Sequence, residues 1–237
     1  MNNSKWFLLL ITAAVVSPAL MAQRTSVARD YPLYANHGLP DLTIDTKRVE
    51  SQMEIVDRYF DANSCAIVEK AVREPGYRRL LRFDTVIMNR GGGDAVIGDR
   101  SDPNNQYASW FVFNICHGHY HLKDFSIYEL LDADGVTVVA NTKQGFCFED
   151  SFKYDGQKSN GYHCDYQGIT MGWGDWYYKQ LVGQWIDITG VPAGEYTLRI
   201  RINMGGMLDE GENRHTNVYE TKVQVPDPRK KVAVVTE

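Results

Sequence analysis

The sequence predicts a mainly β protein, an antiparallel β-sandwich with long loops and little helix. Three observations carry that expectation: short apolar stretches bounded by turn residues, alternation of apolar and polar side chains within them, and a single stretch with helical spacing. Residues 80–88 (LLRFDTVIM) read as one strand, ended by Asn89-Arg90 and the glycine turn 91–93. Residues 126–131 and 136–140 flank Asp132-Ala133-Asp134-Gly135, which predicts a hairpin about an Asp-Gly turn. Residues 184–188 and 196–202 lie either side of Pro192-Ala193-Gly194. In the second of these, Tyr196, Leu198, Ile200 and Ile202 alternate with Thr197, Arg199 and Arg201, the pattern of a half-buried strand. Only residues 47–62 carry apolar side chains at helical spacing (Val49, Met53, Val56, Phe60), so a short helix is expected there.

The chain has 237 residues, of which 43% are hydrophobic and 12% aromatic, enough to bury a sizeable core and unlike a disordered chain. With 30 acidic and 25 basic residues the formal charge is −5. No basic face is suggested, so a nucleic-acid partner is not expected. Residues 1–22 have the order of a secretory signal: Lys5, an apolar run from Trp6 to Val16, then Ser-Pro-Ala-Leu-Met-Ala. Cleavage fits best after Ala22, with Ala19 as the alternative. The run is short for a bilayer span and breaks at Pro18, so no stable membrane insertion is expected. The expected organisation is a signal at 1–22, one domain at 23–225 and a flexible tail at 226–237. The expected location is secreted, extracellular or periplasmic, where disulfides persist.

Three of the six histidines fall within five residues, His117-Gly118-His119-Tyr120-His121. On a strand, side chains two apart share a face, so His117, His119 and His121 would converge on one ion. The same parity would put Phe111, Phe113 and Ile115 on that face, with Trp110, Val112, Asn114 and Cys116 on the other. Neutral imidazoles with open coordination positions suit catalytic zinc or copper, and the spacing does not choose between them. A cupin-type site, which also uses paired histidines on a β fold, stays open on these residues alone.

Read together, Cys116-His117-Gly118-His119-Tyr120-His121, Phe125-x-x-Tyr128-x-Leu130-Leu131-Asp132 and Lys143-x-x-Phe146-Cys147-Phe148-Glu149-Asp150 resemble the catalytic domain of the lysyl oxidase family. Gln167-Gly168-Ile169-Thr170-Met171-Gly172, Asp175-Trp176-Tyr177 and Gln184-Trp185-Ile186-Asp187-Ile188-Thr189 follow in the family's order. The resemblance runs from about Pro40 to about Asn217. It implies a copper amine oxidase whose ligands are His117, His119 and His121, with a lysine tyrosylquinone built from Lys143 and Tyr177. Such an enzyme takes a primary amine or a lysine-containing protein and O₂, and releases aldehyde, ammonia and hydrogen peroxide. A general base is needed, and Asp175 is the carboxylate nearest Tyr177 in sequence. The resemblance further implies a calcium site at Asp41, Leu42, Glu210, Glu212 and Asn217, oxygen donors that suit a hard cation.

The chain departs from the family at several positions. Asn114 stands where animal members have a further histidine, Phe111 and Phe113 replace two tryptophans, and Trp173 and Gly183 replace the cysteines flanking the cofactor tyrosine. Four cysteines allow three pairings. The resemblance implies Cys65–Cys116 and Cys147–Cys164, with both members of each remaining family bridge absent. Two other function classes are weighed against the oxidase: a non-catalytic extracellular binding module stabilised by metal, and a His₃ zinc hydrolase. The hydrolase leaves Lys143 and Tyr177 without a role.

Overall fold

The computed structural model describes residues 38–212 and 217–236. The signal expected at 1–22 lies outside the described residues. In chain order, the first elements are β1 (Leu42–Ile44), α1 (Thr46–Gln52), β2 (Glu54–Phe60), α2 (Cys65–Val68), β3 (Gly76–Arg82), β4 (Thr85–Asn89) and β5 (Ala95–Gly98). A 3₁₀ turn (Ala108–Trp110) then leads into β6 (Phe111–Asn114), β7 (His119–Leu131), β8 (Val138–Phe146) and β9 (Phe152–Lys153). The last six strands are β10 (Gln167–Ile169), β11 (Trp173–Tyr177), β12 (Trp185–Asp187), β13 (Gly194–Ile202), β14 (Val218–Val225) and β15 (Ala233–Val235).

The fold is mainly β, as expected, and its strands form several sheets around a shared core. The largest has the order β14-β13-β7-β6, with β8 also paired to β7. Across β7 and β13, Tyr128 faces Ile200 and Leu130 faces Leu198, and all four are buried. The sheet β1-β4-β11-β9 contributes Leu42, Ile44 and Ile87 to the same core cluster as this layer. Tyr128 crosses between them, its hydroxyl hydrogen-bonded to both Thr85 Oγ1 and Gln184 Oε1, each at 3.1 Å. Phe83 meets the Tyr128 ring edge-on at 4.9 Å. The sheet β12-β3-β2-β15 buries both of its faces. Leu81 and Ile186 point into the main core, while Val56, Phe60, Leu80 and Trp185 make a second cluster with Ala66, Ala71 and Val72. That second cluster seats the short helix α2.

Three expectations need correction. The helix expected at 47–62 is confined to α1, capped by the Asp45 carboxylate, and the chain turns extended at Met53. Val56, Arg58 and Phe60 are buried at a period of two, so the second half is strand β2. Val56 and Phe60, four apart, fit both periods; pairing with β3 decides between them. The single strand at 80–88 is two, β3 and β4, belonging to different sheets and separated by Phe83-Asp84. Burial of Phe83 and the hydrogen bonds of Asp84 to Trp176 Nε1 and the Lys179 amide hold the corner. The tail expected to be flexible at 226–237 instead supplies β15, parallel to β2 from Ala233↔Val56 to Val235↔Arg58. Arg79 ties the approach by donating to the carbonyls of Asp227 and Lys230.

Candidate active site

The histidines sit on a hairpin rather than on one strand. β6 and β7 pair with Asn114 opposite His119 and Val112 opposite His121. The four residues between them turn the chain, and Gly118 takes φ +74°, a conformation that suits glycine. Asn114 organises this turn: its Oδ1 accepts from the Cys116 amide at 2.9 Å and the His117 amide at 3.1 Å. His117 therefore lies in the turn, and only His119 and His121 share strand parity. Residues opposite each other in an antiparallel pair share a face, so Val112 and Asn114 lie on the face of His119 and His121. The parity expected for Phe111, Phe113 and Ile115 is thus reversed, because the chain doubles back before the last two histidines. Phe113 instead meets Tyr120 on the opposite face, with ring centroids 5.1 Å apart.

Despite this different route, three imidazole nitrogens converge. His117 Nδ1 lies 3.2 Å from His121 Nε2, which lies 2.9 Å from His119 Nε2. Burial first, then the neighbouring His117 and His119, push the His121 imidazole down to about 3. Burial and His117 lower His119 as well. At neutral pH His119 and His121 are therefore uncharged, and their ring lone pairs are available. Protons can satisfy such contacts only pairwise, whereas one cation satisfies all three nitrogens together; the donor set fits a copper or zinc ion.

The same histidines line a cavity of about 760 Å³ that also contains Glu149, Asp175 and Tyr177. Strand β11 delivers the last two, pairing Asp175 with Ile87 and Tyr177 with Thr85 of β4. The Tyr177 hydroxyl bonds to the Asp175 carboxylate and to the Cys147 carbonyl, the latter at 2.7 Å. Ser151 Oγ donates to the other Asp175 oxygen at 3.0 Å. Burial pushes the Asp175 carboxyl and the Tyr177 phenol well above their ordinary values; the Asp175 charge adds to the rise of the phenol, while hydrogen bonds from Tyr177 and Ser151 oppose the rise of the carboxyl. The phenol is the donor in this pair and the carboxylate the acceptor. Lys143 is in β8 opposite Ile127, and its side chain lies outside the described residues. The next residues, Gln144, Gly145 and Phe146, line the cavity. A Cβ at Gly145 would come 2.7 Å from the Leu122 carbonyl, so glycine permits the close approach of β8 to β7.

Both disulfides brace this region. Cys65–Cys116 joins the start of α2 to the residue before His117, and Cys147–Cys164 follows the end of β8. At a second locus, Glu210 is fully buried near Asp41, Leu42 and Asn217, and burial raises its carboxyl to about 7. Hydrogen bonds from Asn217, Asn203 and the Leu42 amide oppose that rise, and the Asp41 charge adds to it. The buried Asn217 Oδ1 has no hydrogen-bond donor among the described residues. Glu212 is exposed, and residues 213–216 of the loop lie outside the described residues. Sequence reasoning missed Glu69, whose carboxylate lies beside His117, and Glu149, on the cavity wall; their signals were a position four after Cys65 and a place within the Lys143 motif.

The family model for lysyl oxidase matches residues 40–234. Lysyl oxidase homolog 2 of Bos taurus is 34% identical over 190 residues, covering 75% of this chain and 23% of the relative. The Homo sapiens homolog 2 is 36% identical over 176 residues, 69% of this chain and 22% of the relative. The Mus musculus homolog 2 is 36% identical over 185 residues, 73% and 23% respectively. The matched region spans less than a quarter of these relatives' own length.

Proposed function

The chain belongs to the lysyl oxidase family, and on that premise we propose that it is a copper-dependent amine oxidase acting on primary amines or peptidyl lysine. The single observation that carries the reading is one cavity lined by three converging histidines and by the Asp175–Tyr177 pair. His117 Nδ1, His119 Nε2 and His121 Nε2 are the proposed copper ligands. Copper held there would supply the redox chemistry for oxidation of Tyr177 by O₂, with Lys143, to a lysine tyrosylquinone that would accept the electrons of the amine. The overall reaction converts R–CH₂–NH₂, O₂ and water to R–CHO, NH₃ and H₂O₂.

The chain's own residues then have defined tasks. Asp175 accepts the Tyr177 O–H in a buried setting where separate ionisation is costly, which suits it to take up and return a proton there. Glu149 lines the same cavity with a half-buried carboxylate and supplies negative charge for a cationic amine. The Cys147 carbonyl and the Phe146 ring, 4.3 Å from the Tyr177 ring, fix the phenol's orientation. Asp41, Leu42, Glu210 and Asn217, with Glu212 from the adjoining loop, are proposed to hold a structural calcium ion; the buried Asn217 oxygen supports this. Residues 1–22 are proposed to direct secretion, and the chain from 23 through β15 to form the catalytic domain. Among the described residues no helix is long and apolar enough to cross a membrane.

Copper reconstitution of the purified chain tests the reading. The expected result is a peptide crosslinked between Lys143 and Tyr177, with hydrogen peroxide formed from a primary amine. Tyr177→Phe abolishes both. A copper-loaded protein with neither the crosslink nor peroxide overturns it, and copper-independent hydrolysis with zinc bound would favour a His₃ hydrolase.

A further inference from the structure

His117 turns its Nδ1 toward the other two imidazoles, at 3.2 Å from His121 Nε2, so its Nε2 faces outward. The group on that outer side is Glu69, whose Oε1 lies 3.6 Å from His117 Nε2. Glu69 Oε1 is buried and has no hydrogen-bond partner among the described residues, and this imidazole is the group it approaches. A buried carboxylate oxygen costs free energy unless a donor meets it, and the only donor a neutral His117 can offer there is an Nε2–H. A proton on Nε2 leaves the lone pair on Nδ1, the nitrogen that faces the ion site.

The fold holds Glu69 in this position from two directions. Glu69 ends helix α2, with its amide donating to the Cys65 carbonyl at 2.8 Å. Cys65 is bonded to Cys116, the residue immediately before His117, so one covalent link ties the helix that carries Glu69 to the turn that carries His117. On its other side α2 is seated by Ala66 in the second core, and Trp185 Nε1 donates to the Ala71 carbonyl at 3.0 Å.

The geometry points to Glu69 as a positioning residue for the metal site: it accepts the His117 Nε2–H and fixes the tautomer whose Nδ1 binds the ion, with the Cys65–Cys116 bridge holding it there. The inference rests on the proposed metal reading of the histidines. At 3.6 Å the contact is longer than a formed hydrogen bond, and a side-chain adjustment of a few tenths of an ångström is required to close it. Partners of this kind orient metal-binding histidines and raise their basicity.

Two measurements on the full chain test it. In metal-free, ¹⁵N-labelled protein, the His117 ring, assigned with His117→Ala, is expected to carry its proton on Nε2. Glu69→Ala and Glu69→Gln are expected to redistribute that proton between the nitrogens. Copper affinity, measured by competition with a chelator, falls about 10–100-fold in Glu69→Ala. It falls less in Glu69→Gln, whose amide oxygen still accepts a hydrogen bond. If Glu69→Ala fails to fold, the isosteric Glu69→Gln variant decides by the same two readouts. A His117 proton on Nδ1 in the wild type, or a tautomer and affinity unchanged in the folded variants, overturns the inference. Wild-type protein that binds copper no better than His121→Ala overturns the metal reading instead, and the tautomer measurement is independent of that result.

Discussion

The two ends of strand β7 are built from the same backbone and solve opposite problems. Its C-terminal half sits between β13 and β8, buries Tyr128, Leu130 and Leu131, and neutralises its one buried charge. There Glu129 stands directly opposite Arg199, with Arg199 Nε at 2.8 Å and Arg201 Nη2 at 2.9 Å from its carboxylate. Its N-terminal half pairs with β6 and presents His119 and His121, whose nitrogens face one another and His117 with no opposite charge among them. Between the halves the register with β8 shifts, from Leu122↔Phe146 to Ser126↔Gln144, and Asp124 takes φ +52°. A bulge of this sort re-aims the strand, and here it separates a paired, structural end from a convergent, ligand-binding end. Polar groups that meet their counter-charges hold the fold together. Polar groups of one kind that meet each other await a ligand.

The largest expected effect falls at the histidine end. His121→Ala should lose copper binding and bring peroxide formation to background while changing the melting temperature of the metal-free protein little, since a half-buried imidazole outside the hydrophobic core is removed. A metal-free protein that unfolds on this substitution would break the comparison. At the other end, Leu130→Ala should cost about 2–5 kcal/mol in denaturant unfolding, with unchanged copper affinity in the folded fraction.

Glu210 extends the rule to a second convergent site. Its carboxyl is raised from 4.5 to about 7 in the folded chain, so the folded state keeps a proton that the unfolded state releases. Metal-free stability should therefore fall as pH rises from about 4.5 to about 7 and level off above, by up to about 3 kcal/mol in total. Glu210→Gln should flatten that limb, and calcium should raise the melting temperature more at pH 8 than at pH 5. Thermal melts with chelator and with calcium check both.

The smallest effect sharpens the paired end. Burial works to raise the Glu129 carboxyl, but Arg199 and Arg201 overcome it and hold it below its ordinary value of 4.5. Its stabilisation is full above that value and is lost as pH falls through the lower folded one. Glu129→Gln should cost about 1–3 kcal/mol at neutral pH, limited because both guanidiniums reach solvent. The cost should shrink toward zero in acid. An acid limb of equal depth in the variant would show that the pair contributes little.

Much of the fold was legible locally. The alternation in 196–202 appears as β13 with Tyr196, Leu198, Ile200 and Ile202 buried, and the Asp-Gly turn joins β7 to β8. The helix at 47–62 misled because Val56 and Phe60 satisfy both periods, and only pairing with β3 makes that segment a strand. The histidine parity misled for a related reason. A strand rule was carried through Gly118, where the chain reverses.

The sequence by itself determined the donor types, three imidazoles within five residues, and the short-range alternation that makes the strands. Those are properties of neighbouring residues, and backbone geometry transmits them over two to four positions. Only the tertiary structure decided which nitrogen of His117 faces inward, that Glu69 stands behind it, and that Asp175 and Tyr177 share the histidines' cavity. Those depend on the β6–β7 register, on a covalent bridge across 51 residues and on β11 pairing with β4. Such long-range contacts are set by the burial of a common core, which no local pattern of residues encodes.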